Sequence, residues 1–456
     1  MEAWLAAGLD YATRWLEFQL RYHQQPGCAL AVTHKGELIF ERALGQANLS
    51  SGEALTPRHR FRMASQSKSF AATAVMLLRE RGVLRLDDPV GDYVEGLHPE
   101  IAARTIAQLL SHSGGLVRDG ADSGQFLDRR PYLSAEELLA DLAAAPTLEA
   151  GQRFKYSNHG YGLLGLAIEA VTGEPYADWI AREIIVPLEL KETVPDITLA
   201  AGVPLARGHS GREPLGRRVV IPGDNPANAI TPAGGVVSTA ADMARFYAQL
   251  SPRAEKSLLS AASRREMLRR QWRDPDSSLE THYGLGIMSG PPGDWEWFGH
   301  SGGFQGFITR SAVLPEQDLS LSVLSNAVDG FANFWFEGLR NLLKTMATAG
   351  APTERVSGWR GRWWTLWGTM DLVPCGDAVI AAGPGRLNPF LDAEEFEILE
   401  PDRGRVTRGS GFYRYGEPVR LERDDAGAPH ALWIGGIRLV PEAELIREME
   451  ARYGDG

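Results

Sequence analysis

Cysteine is almost absent. Cys28 and Cys375 are the only two in 456 residues, and their separation, with no paired Cys/His spacing anywhere, excludes a disulfide framework and a zinc site. Cys28, inside Gly27-Cys28-Ala29-Leu30-Ala31-Val32, reads as a small buried strand residue. Basic residues are also short, at 47 Lys and Arg against 58 Asp and Glu, a formal net charge of -11. That balance excludes nucleic acid or an anionic membrane surface as partner, since both need a basic face. No run of about 18 apolar residues is present, so no membrane span is expected. The start, Met1-Glu2-Ala3-Trp4-Leu5, lacks a basic stretch followed by a long apolar core, which points to a cytoplasmic protein. Neither internal repeats nor low-complexity tracts are found. What remains, 44% hydrophobic and 23% charged residues, is the composition of a folded globular protein, and the length suggests two or three domains.

Periodicity divides the chain. Residues 3–22 carry Trp4, Leu5, Leu9, Ala12, Trp15, Leu16 and Leu20 at helical spacing. Residues 28–34 and 37–44 read as a strand hairpin turning at Lys35-Gly36. Helices are expected over 69–81, 106–110, 135–145, 161–172, 240–250, 264–270 and 332–346, most of them stopped by Gly or Pro. Residues 202–235 read as a long surface loop, and 303–314 and 319–325 as two sheet strands. Beyond a linker at 347–354 the pattern changes to short strands at 359–366, 370–374, 378–381, 395–399, 411–415, 419–423 and 431–439. Regular short strands of this kind predict a small β-barrel or sandwich. The expected domains are 1–350 and 351–456.

Chemistry concentrates in Ser65-Gln66-Ser67-Lys68, at the head of the apolar helix. Residues i and i+3 share a helix face, so the Lys68 amine can reach the Ser65 hydroxyl, a nucleophile beside a proton acceptor. Two further elements follow, Tyr156-Ser157-Asn158 and His300-Ser301-Gly302-Gly303. Tyr156 can carry a proton from nucleophile to leaving group. Asn158 can donate to a substrate carbonyl and accept from Lys68. A neutral imidazole at His300 can hydrogen-bond Tyr156 or the leaving group, and titrates near neutrality unless perturbed. Gly302 and Gly303 allow a strand edge close to a substrate. His112 reads as a structural cap of its turn and His159 as a cleft residue without an assigned step, while Trp295, Trp297 and Phe298 read as core.

These three elements, in this order, resemble the serine β-lactamase and penicillin-binding-protein superfamily. Leu86-Asp87-Asp88-Pro89-Val90, Leu109-Leu110-Ser111-His112-Ser113-Gly114-Gly115-Leu116, Tyr161-Gly162-Leu163-Leu164-Gly165 and Pro232-Ala233-Gly234-Gly235-Val236-Val237-Ser238-Thr239 extend the likeness to its class C-like branch over residues 25–345. Tyr in the second element and His in the third resemble the esterases, D-amino-acid peptidases and amidases of that branch, whereas class C lactamases carry Lys at the third. The resemblance implies an α/β sandwich with an antiparallel sheet and an all-α lobe, followed by a lipocalin-like all-β barrel. It further implies that Ser65, Lys68, Tyr156 and His300 are catalytic, that Asn158, Gly302 and Gly303 bind substrate, and that the Ser65 and Gly303 N–H groups form the oxyanion hole. Whether Lys68 or Tyr156 is the base stays open at this level. The expected function is a serine hydrolase cleaving an amide, peptide (D-amino-acid-containing in the narrower reading) or ester bond through an acyl-Ser65 intermediate, without cofactor or metal. Carboxylesterase, acyltransferase and a non-catalytic ligand sensor are the alternatives. The expected partner is a small-molecule or short-peptide substrate, and homo-oligomerisation is left open.

Overall fold

An antiparallel sheet of nine strands organises residues 25–333 in the computed structural model, which describes residues 1–276, 278, 280–412 and 414–454. Its spatial order is Glu53–Ala54, Glu37–Asn48, Gly27–His34, Leu319–Ser325, Phe307–Leu314, Phe298–Phe304, Met288–Ser289, His282–Tyr283 and Trp272–Arg273. The central strands read as continuous apolar or small residues because both faces are covered. Helix Ala240–Ala248 packs across four strands of the sheet. The opposing lobe is helical and includes Ser67–Glu80, Ile106–Leu110, Ala135–Leu142 and Asn158–Thr172. One apolar core, including Phe70, Leu78, Leu163 and Phe246, joins lobe and sheet. This is the expected β-lactamase-like α/β fold.

Several boundaries differ from the expectation. The stretch read as a single strand over 303–314 is a hairpin, Phe298–Phe304 and Phe307–Leu314, turning at Gln305-Gly306 with Gly306 at φ +87. The helix expected from residue 161 begins at Asn158, because Ser157 caps it by accepting from the Gly160 N–H at 2.9 Å. The segment read as an unstructured loop, 202–235, contains a two-stranded ribbon, Gly208–His209 with Val220–Ile221, and the short helix Thr231–Gly234.

The second compact unit comprises residues 1–24 and 334–456. Its eight-stranded meander runs Gly361–Thr365, Gly368–Cys375, Ala378–Ala382, Glu394–Glu400, Arg403–Arg408, Pro418–Arg423, Pro429–Ile434 and Ile437–Leu439. A bridge between Trp364 and Val440 brings the last segment back to the first, leaving a nearly closed barrel filled by Trp363, Leu372, Phe396, Val406 and Leu432. Of the strand expected at 411–415, residue 413 lies outside the described residues and 411, 412 and 414 form a turn. Helix Ala3–Tyr22 belongs to this unit: Trp15 donates to the Arg386 carbonyl at 3.1 Å and Gln19 to the Pro384 carbonyl at 2.7 Å. Among the described residues no helix is long and apolar enough to cross a membrane.

Candidate active site

Ser65 sits in a single 3-10 turn, Ala64–Gln66, directly before helix Ser67–Glu80. Ala64 adopts φ +52, a left-handed conformation that costs a non-glycine residue roughly 1–2 kcal/mol. The surroundings hold that turn in place. Ser67 Oγ donates to the Ala64 carbonyl at 2.7 Å and accepts from the Val236 N–H at 2.9 Å, while Thr309 Oγ1 donates to the Met63 carbonyl at 3.1 Å. Gly302 is required here: a Cβ on it would lie 2.2 Å from the Met63 carbonyl oxygen. The result is a nucleophile turn stitched to the sheet edge. From Phe61 to Leu78 every residue is buried except Ser65, which is half-exposed.

Lys68 is fully buried, and its amine has three polar partners. Nζ lies 3.2 Å from Ser65 Oγ, 2.7 Å from Asn158 Oδ1 and 2.9 Å from the Ala233 carbonyl. Among the described residues no carboxylate touches it, so burial drives its pKa well below the ordinary lysine value, with Asp119 opposing the fall and Arg118 adding to it. Asp119 acts through Asn158, whose Nδ2 donates to Asp119 Oδ1 at 2.6 Å. The Asn158 amide is thereby fixed, oxygen toward the amine and nitrogen toward the acid. Asp119→Asn removes the charge that opposes deprotonation, so the Lys68 pKa falls further. The acidic limb of the kcat/KM profile is expected to move to lower pH in that variant; an unmoved or upward-shifted limb would contradict the arrangement.

The Tyr156 ring lies 4.7 Å from Lys68 Nζ. Burial pushes its phenol pKa up, a hydrogen bond with Ser65 opposing, so the group stays protonated near neutrality. Lysine therefore does not hold the phenol pKa down.

His300 is placed differently from the expectation. Its Nε2 is 3.0 Å from the Tyr283 hydroxyl and its Nδ1 is 2.6 Å from the Ser301 carbonyl. Nδ1 must carry the proton to donate to that carbonyl, so Nε2 accepts from Tyr283 and the ring is engaged away from Tyr156. Burial, reinforced by the Lys68 charge, takes the His300 pKa down to about 3, so it does not titrate near neutrality. A pKa lowered on folding contributes stability that is present above 6.5 and lost as pH falls through about 3. At 1.36 kcal/mol per unit the full loss is about 5 kcal/mol. Urea unfolding at pH 7 and pH 4 should therefore show a smaller pH dependence for His300→Gln than for the wild type, and equal dependence would refute the buried neutral ring.

Gly303 is exposed at the end of the Phe298–Phe304 strand. Hydrogen-bonded and non-bonded pairs alternate along an antiparallel ribbon; counting back from Phe304 opposite Phe307 across a two-residue turn, the Gly303 N–H points away from the neighbouring strand. That leaves it available at the free edge.

Lys68, Tyr156 and Asn158 thus converge on Ser65, while His300 reaches the group through Tyr283. His159 is buried with Nε2 2.8 Å from Asp141, hydrogen-bonded inside the lobe rather than facing the cleft. Trp295, Trp297 and Phe298 are buried, as expected of core. Sequence reasoning missed Asp119, Tyr283 and the Ala233 carbonyl. Ala233 lay within a stretch resembling the family, but a backbone acceptor carries no residue-type signal.

A beta-lactamase family model matches residues 13–339. Penicillin-binding protein 4 of Amycolatopsis lactamdurans is 31% identical over 357 residues, covering 72% of this chain and 88% of its own length. Esterase EstB of Burkholderia gladioli is 31% identical over 204 residues, 41% of this chain and 51% of its own. The solved structure of a D-stereospecific amidohydrolase from Streptomyces sp. superposes with a TM-score of 0.59 at 27% identity, covering 69% of this chain and 93% of that one. With the match spanning most of the sequence and the fold in agreement, this chain belongs to the beta-lactamase family of serine hydrolases.

Proposed function

We propose that the protein hydrolyses amide or short-peptide bonds through an acyl-Ser65 intermediate, with D-amino-acid amides as the first substrate class. The observation that carries this reading is the half-exposed Ser65 hydroxyl set 3.2 Å from a fully buried amine that touches no carboxylate among the described residues. The neutral Lys68 Nζ takes the Ser65 proton as Oγ attacks the carbonyl carbon. Charge developing on the carbonyl oxygen is met by the N–H groups of Ser65, in the first turn where backbone donors lack intrahelical acceptors, and Gly303. Tyr156, kept a phenol, gives its proton to the leaving nitrogen and is recharged from Lys68. Water then attacks the acyl ester, its proton passes to Lys68, and Ser65 is released protonated.

A protonated phenol favours amides, because an amine leaves only once protonated, whereas an alkoxide needs less help. The D-preference rests on likeness to the D-stereospecific amidohydrolase. Likeness to EstB favours a second reading, a carboxylesterase using the same groups. The proposed catalytic span is 25–333 of the expected 1–350, since residues 1–24 and 334–350 group with the barrel's compact unit. The test is turnover of D- and L-phenylalanine p-nitroanilide, p-nitrophenyl butyrate and nitrocefin. D-anilide hydrolysis at least tenfold above L is expected, with little nitrocefin turnover; turnover of the ester alone would replace the amidase reading by the esterase one.

A further inference from the structure

We propose that His112 is a positioning residue that aims Tyr156 at Ser65, its ring Nδ1 being the essential atom. This rests on the reading of Tyr156 as the proton carrier.

His112 follows helix Ile106–Leu110 by two residues and adopts φ +57. Its backbone carbonyl accepts from the Lys155 N–H at 2.8 Å, and its Nδ1 accepts from the Ser157 N–H at 3.2 Å. The two bonds fall on the residues immediately before and after Tyr156. Its ring also lies against the Tyr156 ring, centroids 4.2 Å apart and planes tilted by 37°. One residue therefore holds Tyr156 on both sides, by its carbonyl before and its ring nitrogen after, and the same ring covers the phenol's face.

Because Nδ1 accepts, the proton must sit on Nε2. That nitrogen is buried and has no hydrogen-bond partner among the described residues. An unpaired buried donor costs about 1–3 kcal/mol, which an asparagine or glycine cap at this left-handed turn would avoid. A cap alone thus gives no account of the imidazole; a clamp on Tyr156 does. The groups facing the ring are Tyr156, Phe154, Tyr161 and Tyr283 by contact, with the basic groups Lys68, His300 and Arg118 nearby. Burial and those three bases keep the ring neutral, so Nδ1 stays an acceptor. The phenol serves two reaction partners in turn, and a displacement of about 1 Å at such a group costs on the order of 100-fold in rate.

The experiment is a double-mutant cycle on kcat. His112→Phe keeps a stacking ring without an acceptor, and is expected to lower kcat about 10- to 100-fold with KM within about twofold. His112→Asn, which returns an acceptor and tolerates the left-handed turn, should recover most of that loss. In a Tyr156→Phe background His112→Phe should cost nothing further, since the group it aims is gone. Wild-type kcat in His112→Phe, or an equal loss in both backgrounds, overturns the proposal. Intact kcat in Tyr156→Phe overturns instead the reading on which it rests. Should His112→Phe not fold, His112→Asn decides: a small kcat loss that disappears in the Tyr156→Phe background supports the clamp, and one that persists there refutes it.

Discussion

Ser65→Ala is expected to lower turnover by about 10⁴- to 10⁶-fold, the range seen when a covalent nucleophile is removed, while leaving the fold intact. The size follows from the site having a single half-exposed hydroxyl against the amine. Water held in its place would have to be positioned anew, without the entropy advantage of a fixed attacking atom. The fold should tolerate the change because Ser65 Oγ is not among the bonds that shape its turn. Those run through Ser67, Thr309 and Val236, and Lys68 keeps Asn158 and the Ala233 carbonyl as acceptors. Neither this turn nor the helix start has a side-chain capping bond, so none is lost with the Ser65 hydroxyl. The change in unfolding free energy is expected within about 0.5 kcal/mol. Kinetics on the anilide and ester substrates, fluorophosphonate labelling followed by peptide mass spectrometry, and thermal melting check the three parts. A variant that retains most turnover, or that still labels in this turn, would remove Ser65 as nucleophile.

What the sequence disclosed of this site follows the range of the interactions. Ser65 and Lys68 are three residues apart, so helix geometry alone brings them together. Tyr156 and Asn158 were placed with them by family likeness, and the structure adds why they stay: Ser157 caps the helix while the residues on either side of Tyr156 bond back to His112. His300 shows the limit. It was expected to serve Tyr156 or the leaving group and to titrate near neutrality, but its partner, Tyr283, lies on a two-residue strand too short to leave a periodic trace. His159 was misplaced for a similar reason, since Asp141 reaches it from another helix. In the sheet, Phe304 and Phe307 flank Gln305-Gly306 so closely that the two strands read as one, hiding the turn that sets Gly303 at the edge. In the barrel, Arg403, Arg405 and Arg408 interrupt the apolar pattern of a real strand, with only Gly404 and Val406 facing inward. Helix Glu442–Tyr453 escaped notice because none of its residues is buried.

Replacing Lys68 by methionine should lower kcat by about 10³- to 10⁵-fold, second only to loss of the nucleophile, and should alter how stability depends on pH. The kinetic loss arises because Tyr156, with its pKa raised, is a poor substitute base at neutral pH. The stability effect has a definite sign. The Lys68 pKa is lowered in the folded chain, so between that lowered value and 10.5 the unfolded chain binds more protons than the folded one. Stability therefore rises with pH across that window, is fully present above 10.5, and is lost as pH falls through the folded value. Methionine has nearly the same length and no proton to lose, so Lys68→Met should show a flatter curve. Two opposing terms decide its level at pH 7: the cost of holding the amine unprotonated in the fold disappears, while Asn158 Oδ1 and the Ala233 carbonyl lose a donor, at about 1–3 kcal/mol for each unpaired group. Urea unfolding of both proteins at pH 7 and pH 10 reads the slope directly. A wild-type slope no steeper than that of Lys68→Met would mean that the amine keeps its ordinary affinity for protons, and a cationic Lys68 could not accept the one that Ser65 must give up.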